Sequence, residues 1–320
     1  MENPQPQGER PRAVEGSSPF RWRPKPSSAG KIGVAMAAVS LACTAAVWAY
    51  AFGRPVALDS FIAAVAGLAG LMLALGALFV ALGYFSLGYR IENQALILSW
   101  LWTREIVPLG AIEGIYGGHR LGKKAVIEGL ASPGFYVGKA KAEGLGRVQF
   151  CGTTRDPSGA IIVATAHRGY AITPADLDGF RDRLIELLEA LPAEMVEGAP
   201  EPETAMPAVL RLSILRDGAT IGLLALALVV LLGSFGYVSA RFPDLPELMP
   251  LHFNYAGEPD LIGPPHDAFR MPIIGLLILG ANGLVATALH QWRRDAGRIS
   301  AVATVFVQLV MLVAVLRVVH

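Results

Sequence analysis

Five stretches of the sequence run for 18 to 30 residues without an acidic or basic side chain, histidine aside. A helix needs about 20 mostly apolar residues to cross a bilayer, because its backbone amides must be hydrogen-bonded within the segment. The pattern therefore predicts five transmembrane helices, the last of them barely long enough. The five stretches are Ile32–Gly53, Ser60–Tyr89, Gly218–Ala240, Met271–Trp292 and Ile299–Leu316.

The second stretch, with 30 residues, is too long for one helix of this kind. Gly83, Gly88 and the aromatic pair Tyr84–Phe85 predict that the helix ends near residue 82 and that the chain continues as a strand. We therefore assign residues 31–83 to helices one and two, and residues 213–320 to helices three to five.

Between the second and third stretches the period of the pattern changes. Short runs rich in β-branched and aromatic residues alternate with Gly, Pro and Asp, which predicts about seven or eight strands. Thr173-Pro174-Ala175-Asp176 then predicts a helix start, with Thr173 as the N-cap, Pro174 as the first helical residue and Asp176 as the third. Leu177, Phe180 and Leu184 begin one apolar face of this helix, which ends near Leu191. The predicted strands are Leu87–Glu92, Ala95–Trp100, Thr103–Pro108, Ile112–Tyr116, Phe135–Gly138, Arg147–Cys151, Ala160–Thr165 and Tyr170–Ile172.

This order of elements resembles a known domain family. Tyr89–Glu92, Leu96–Leu98 and Glu105–Leu109 resemble the opening hairpin of bacterial pleckstrin-homology-like (PH-like) domains, and Ile172-Thr173-Pro174 followed by Phe180 resembles the entry to their closing helix. The resemblance covers residues 84–192. It implies a polytopic α-helical membrane protein with a β-rich PH-like domain capped by a C-terminal helix.

Two segments outside these regions have the composition of unstructured chain. Residues 1–30 are basic and rich in proline, which predicts a disordered tail. Residues 193–212 are acidic and also rich in proline, which predicts an extended, mobile linker.

Composition agrees with a membrane protein, since 53% of the residues are hydrophobic and only 17% are charged. The net charge of +1 excludes a global field of the kind that attracts nucleic acid. Cys43 lies in an apolar stretch and Cys151 lies in a polar region more than a hundred residues later, so the sequence does not imply a disulfide.

The distribution of Lys and Arg predicts the orientation in the membrane. Basic residues are concentrated in the N-terminal tail and in the segment after the fourth stretch, at Arg293, Arg294 and Arg298. We therefore expect a protein of the bacterial plasma (inner) membrane with the N-terminus and the PH-like domain in the cytoplasm and the C-terminus outside. Ala49-Tyr50-Ala51 has the form of a signal-peptide cleavage site, but the first apolar run is longer than a signal core, so we expect an uncleaved anchor.

The predicted external loop, residues 241–270, is the most distinctive string in the chain. Its prolines, then His252-Phe253-Asn254, then Gly257-Glu258-Pro259-Asp260 resemble a bacterial membrane domain of unknown function that also occurs in the immunity and signalling protein for a sporulation-delay toxin. The resemblance covers residues 215–290 and implies a compact loop between two helices. Three interpretations remain open: hydrogen bonds that pin the loop, a ligand or partner site, and a metal site. The candidate residues are His252, Asn254, Gly257, Glu258, Asp260 and His266.

Basic residues beside the predicted spans are candidates for contacts with lipid headgroups. The run Gly117–Lys124 has the spacing of a phosphate-binding loop, but Lys124 stands where a Ser or Thr hydroxyl is needed, which argues against nucleotide binding. The candidate lipid contacts are Arg21, Arg23, Lys25, Lys123 and Lys124.

Small residues inside the apolar stretches predict close helix packing. Asn282, between two glycines of the fourth stretch, is a candidate for an interhelical hydrogen bond. No Asp, Glu, Lys or Arg stands at the middle of a stretch, where transporters and pumps usually carry one. The candidate packing residues are Gly67, Gly70, Gly280, Asn282 and Gly283.

The sequence contains neither a GxSxG nor an HExxH motif. We therefore expect a non-enzymatic protein without metal or cofactor, whose PH-like domain serves interaction, assembly or signal relay. Its partners would be the lipid bilayer and a second copy or a membrane complex, with no nucleic acid and no nucleotide. The alternatives are a small transporter or channel subunit, a ligand sensor that uses the external loop and the last three helices, and an external metalloenzyme at His252 and His266.

Overall fold

A computed structural model describes residues 20–207, 212–256 and 258–319. The chain separates into two compact units. The described residues up to Lys31, together with Val80–Ala205, form the β-rich unit, and Ile32–Phe79 with the residues from Met206 onward form the helical unit. The two units are described in turn.

Five strands of the β-rich unit form one antiparallel sheet in the order β1-β2-β3-β4-β11. Two of them come from outside the predicted domain: β1 precedes the first long helix, and β11 lies in the predicted linker. The strands are β1 (Phe20–Trp22), β2 (Gly88–Glu92), β3 (Ala95–Trp100), β4 (Thr103–Pro108) and β11 (Glu203–Ala205).

The other six strands form a second sheet in the order β5-β9-β10-β8-β7-β6. Its one parallel pair joins β10 to β8, with Tyr170 opposite Gln149, and the remaining pairs are antiparallel. The strands are β5 (Ile112–Gly117), β6 (Ile127–Ser132), β7 (Phe135–Ala142), β8 (Gly146–Gly152), β9 (Ile161–Thr165) and β10 (Gly169–Ile172).

Side chains from both sheets and from helix α3 (Leu177–Glu189) share one core. Tyr89 is fully buried there, and its hydroxyl donates to the Cys151 carbonyl at 2.8 Å and accepts from the Thr173 amide at 3.3 Å. Burial raises the pKa of Tyr89 well above its usual value and raises that of the Cys151 thiol to about 12. Cys151 is therefore a packed, unreactive thiol.

The sequence-based boundaries of this unit need four corrections. Residues 20–22 form β1 instead of continuing the disordered tail, and the linker contains α4 (Ala193–Glu197) and β11. β6 was not predicted, because Gly129 (φ +150°) interrupts the alternation of its side chains. Asp176, not Thr173, caps α3, because its carboxylate accepts from the Gly179 amide at 2.9 Å while Thr173 is buried in the core.

Within the described residues, five helices are long and apolar enough to cross a membrane, as the sequence predicts. The second reaches Ser86 rather than residue 82, since Tyr84 and Phe85 extend the helix, and the fifth begins at Arg294 rather than Ile299. The helices are α1 (Ala29–Phe52), α2 (Leu58–Ser86), α5 (Gly218–Arg241), α6 (Arg270–Trp292) and α7 (Arg294–Val319).

The chain between α5 and α6 forms a small antiparallel hairpin, β12 (Met249–Phe253) and β13 (Pro259–Gly263). Met249 and Leu251 of β12 are buried in an apolar cluster with Val238 of α5 and with Val315 and Val319 of α7. This packing fixes the hairpin against the ends of two long helices.

Candidate functional site

A cavity of about 280 Å³ lies beside the β12–β13 hairpin; we call it the hairpin pocket. Its apolar lining comes from the hairpin (Leu251), from α6 (Met271 and Ile274) and from α7 (Val318). Binding pockets for small molecules combine such a lining with a few polar groups. In the hairpin pocket those groups are His252, Asp260, Asp267 and Arg270.

His252 and Asp260 form a pair at the rim of the pocket. His252 Nδ1 lies 2.6 Å from Asp260 Oδ1, and the side chains are 60% and 44% exposed. Antiparallel pairing of β12 and β13 brings the two residues together although eight positions separate them in sequence. A solvent-facing imidazole–carboxylate pair can donate to and accept from a bound molecule.

Asn254 has a structural position in the turn of the hairpin. Its Oδ1 accepts from the amides of Ala256 and Glu258, each at 2.9 Å, and its Nδ2 lies 3.4 Å from Glu258 Oε2. These bonds close the turn and leave Asn254 and Glu258 outside the pocket lining. The predicted site residue Gly257 lies outside the described residues.

His266 does not join His252. It lies before α6, 71% exposed, with Nε2 3.7 Å from Asp267 Oδ1, while Arg270 Nη2 lies 3.0 Å from the same oxygen. Within residues 20–207, 212–256 and 258–319, no three His, Cys, Asp or Glu side chains lie close enough together to hold a metal ion.

A second polar cluster, which the sequence analysis missed, surrounds Asp217 at the start of α5; we call it the Asp217 cluster. Its carboxylate is buried and accepts from Arg298 Nε and Nη2, both at 2.9 Å, and from Arg294 Nη2 at 2.8 Å. Thr220 Oγ1 donates to the same carboxylate at 2.7 Å. Hydrogen bonds from the two arginines, chiefly Arg298, lower the pKa of Asp217 far below its usual value.

A histidine extends this cluster to a third helix. His290 near the end of α6 is buried, with Nε2 3.2 Å from Asp217 Oδ2 and Nδ1 2.8 Å from Ser213 Oγ. Gly297 makes room for the ring, since a Cβ there would lie 2.8 Å from His290 Cβ. The cluster therefore ties the segment before α5 to the α6–α7 junction, which is the single residue Arg293.

Serine, histidine and aspartate here are connected as in a hydrolase triad, but their surroundings differ. The Ser213 hydroxyl also lies 3.1 Å from the His290 carbonyl, and the Asp217 carboxylate is neutralised by two arginines. Both features occupy the groups that a nucleophile and its base would need to keep free. The geometry fits a structural tie between helices.

The candidate lipid contacts fall in two places of the β-rich unit. Arg21 lies in β1, and Arg23 and Lys25 follow this strand. The Lys25 amide donates to the Thr173 carbonyl, and the Ala175 amide donates to the Arg23 carbonyl. Lys123 and Lys124 are exposed in the loop before β6. No described contact joins the two groups.

The candidate packing residues behave differently in the two helices that carry them. In α2, a Cβ at Gly67 would lie 2.2 Å from Trp48 Nε1 and one at Gly70 would lie 2.5 Å from Thr44 Oγ1, so both glycines allow α1 to approach. In α6, Gly280 and Gly283 face open space, and half-buried Asn282 makes no described hydrogen bond.

The close approach in α6 occurs at another glycine. Gly275 meets Leu231 of α5 and Gln308 of α7, and Gln308 Nε2 donates to the Gly275 carbonyl at 2.8 Å. The interhelical amide of this bundle is therefore Gln308 rather than Asn282. The sequence offered a signal, a lone glutamine in a charge-free stretch, but Asn282 with its flanking glycines was the stronger one.

Comparison with known families agrees with this architecture. The family model of the bacterial PH domain matches residues 87–187, and that of a domain of unknown function (DUF1648) matches residues 229–276, which include the end of α5, the hairpin and the start of α6. Searches of the curated proteins and of the solved structures give no match. The chain thus combines a bacterial PH domain with a DUF1648 region, and the part of it that the structure describes has five helices apolar enough to cross a membrane.

Proposed function

We propose that this is a non-enzymatic protein of the bacterial plasma membrane that binds a ligand at the hairpin pocket and relays binding to its PH-like domain. In this proposal the hairpin faces outward and the PH-like domain lies in the cytoplasm, where it contacts a protein or lipid surface. Assembly with a second copy or a membrane complex is part of the same proposal. The distribution of Lys and Arg supports the orientation.

The observation that carries this proposal is the hairpin pocket itself. Its lining comes from the hairpin and from α6 and α7, so a bound molecule would contact both helices. The opposite ends of these helices meet at the Asp217 cluster, directly after the segment that leads from the PH-like domain. A ligand that favours one arrangement of α6 and α7 would shift the equilibrium at that cluster.

The chemistry of the pocket favours binding over catalysis. Among the described residues that line it there is no serine, cysteine or lysine nucleophile, and its one histidine pairs with an exposed aspartate. A mechanism with a serine, cysteine or lysine nucleophile would require that residue next to a general base.

The test is to purify the full-length protein in nanodiscs made directly from native membranes and to identify bound molecules by mass spectrometry. We expect a small molecule that remains with the wild type and is lost from a variant with His252→Ala and Asp260→Asn. His266→Ala is the matched control, because His266 is exposed in the same loop but does not line the pocket. Equal retention by all three proteins, or a wild type without any bound molecule, would overturn the proposal.

A second measurement addresses the relay. Hydrogen–deuterium exchange of the same proteins should show that loss of the pocket pair changes protection at Ser213–Asp217 as well as at the hairpin. A change confined to the hairpin would leave a ligand site without a relay and would contradict that half of the proposal.

A further inference from the structure

Two hairpins of the five-stranded sheet, β2–β3 and β3–β4, have two-residue turns, and the turns differ in character. Asn93–Gln94 joins β2 to β3, with φ of +50° and +58°. Leu101–Trp102 joins β3 to β4, and Leu101 has φ of +46°. Turns of this length favour Gly, Asn or Asp where φ is positive. Asn93 satisfies this preference, whereas Gln94 and Leu101 do not, and Leu101 is the apolar one of these two.

A bulky residue with positive φ costs folding free energy, and such residues cluster at functional sites. The Leu101 amide donates to Ser86 Oγ at 2.7 Å, and that hydroxyl also lies 2.7 Å from the Leu82 carbonyl. The turn is therefore attached to the last turn of α2.

α2 indicates what surrounds this turn. The helix has 29 residues and one charged side chain, Asp59, in its first turn. Its length of about 43 Å at 1.5 Å per residue exceeds the hydrocarbon thickness of about 30 Å and matches the about 40–45 Å of a bilayer with its headgroups. The end of α2 at Ser86 is thus expected at a membrane interface, and the Leu101–Trp102 turn lies beside it.

Exposure distinguishes the two turns in the same way. Trp102 is 61% exposed, and so is Phe85 in the last turn of α2. Asn93 and Gln94 are exposed as well, but they are polar. β3 separates the turns, so they stand at opposite ends of the sheet. One end is apolar next to a membrane-spanning helix, and the other is polar.

We propose that the Leu101–Trp102 turn and Phe85 form a membrane-contacting tip that inserts into the boundary between headgroups and acyl chains. Tryptophan is enriched at that depth because its ring is apolar and its N–H is polar. The basic partner would be Arg104, exposed two residues after Trp102. This contact requires neither a ligand in the hairpin pocket nor the five basic residues predicted from the sequence.

The test uses the full-length protein in nanodiscs, with an environment-sensitive fluorophore on Trp102→Cys and, as the matched control, on Gln94→Cys. Only Cys43 needs replacement by alanine, since the Cys151 thiol is buried and its pKa is raised to about 12. With lipids brominated near the headgroup, we expect blue-shifted, strongly quenched emission at position 102 and neither effect at position 94.

Equal emission and equal quenching at the two positions would overturn the proposal. Because Trp102 is exposed, its replacement should change the melting temperature in detergent by no more than about 2 °C. A larger fall would mean that Trp102 stabilises the fold instead of contacting lipid, and it would equally contradict the proposal. Nanodiscs carrying His252→Ala and Asp260→Asn should show the same quenching at position 102, which separates this inference from the proposed ligand site.

Discussion

The helical unit contains two aspartate–histidine pairs that have the same chemistry and opposite surroundings. Asp217 and His290 are each 3% exposed, and two arginines, a threonine and a serine complete their hydrogen bonds. Asp260 and His252 face solvent, and the described side-chain hydrogen bond of this pair joins them to each other. The buried pair is positioned to hold three helices together, whereas the exposed pair is free to meet a ligand.

The difference shows that burial decides how much protein stability depends on an ion pair. A buried charge is tolerated only with its partners, so removing one partner exposes the full cost of desolvation. An exposed pair adds little to the free energy of unfolding, because water already solvates both groups. The lowered pKa of Asp217 means that its stabilising effect is present above the unfolded pKa of about 3.9 and is lost only as the pH falls below it. We therefore expect the carboxylate to remain charged between pH 5 and 8.

The largest effect is expected for Asp217→Asn. The change keeps the shape of the side chain but leaves Arg294, Arg298 and His290 around a neutral group, so the melting temperature in detergent should fall by on the order of 10 °C. Asp295→Asn, an exposed acid in the first turn of α7, is the control and should lower it far less, because solvent screens its charge. Equal melting temperatures for the two variants would remove the distinction between the pairs.

A smaller loss is expected for Arg298→Lys. A lysine ammonium keeps the charge but cannot donate two parallel hydrogen bonds to the Asp217 carboxylate, as the Arg298 guanidinium does. We expect the melting temperature to lie between those of the wild type and Asp217→Asn. Arg293→Lys changes an exposed arginine of the same segment and serves as the control. If Arg298→Lys melts like the wild type, the two-bond geometry contributes nothing.

Ser213→Ala should have a moderate effect. It removes the hydroxyl that lies 2.8 Å from His290 Nδ1 and leaves a buried ring nitrogen without a partner, which costs about 1–3 kcal/mol. Ser234→Ala is the matched control, because the Ser234 hydroxyl donates only to the Val230 carbonyl of its own helix. Chemical denaturation of both variants measures the difference, and equal losses would argue against a role for Ser213 in the cluster.

The smallest change in stability is expected for His252→Ala. Its solvent-exposed pairing with Asp260 contributes less than about 1 kcal/mol. The same denaturation experiment checks this value. A loss as large as that of Asp217→Asn would show that the hairpin pair holds the fold together and would weaken its assignment to ligand binding.

Sequence patterns predicted the parts of the fold that depend on local order. Charge-free runs located the five long helices of the described residues, and short β-rich runs located β2 to β5 and β7 to β10, because both signals lie within a single segment. β1 has three residues between prolines, and its pairing of Phe20 with Ile91 joins positions 71 apart, so no local signal reveals it. β11 depends in the same way on β4.

The same distinction between local and long-range contacts applies to the polar clusters. His252 and Asp260 are eight positions apart in one hairpin, so their grouping could be predicted from the loop sequence. In the Asp217 cluster, Asp217 lies 73 to 81 positions from His290, Arg294 and Arg298, and it meets them only because three helices pack. A lone acid before one span and arginines four apart at the start of another were the available signals, but they do not specify contact. The sidedness of the membrane remains a prediction.

The position of β1 before α1 has a consequence for how the protein is made. β1 leaves the ribosome first, whereas its partner β2 appears only after α1 and α2 have been synthesised. The edge of the five-stranded sheet therefore cannot close until α1 and α2 have been synthesised. Trp22 meets Phe180 with ring centroids 5.1 Å apart, so the closing helix of the PH-like domain also packs on a segment made before either long helix. Completion of this domain therefore follows the synthesis of both helices, and β1 has to wait unpaired with β2 until then.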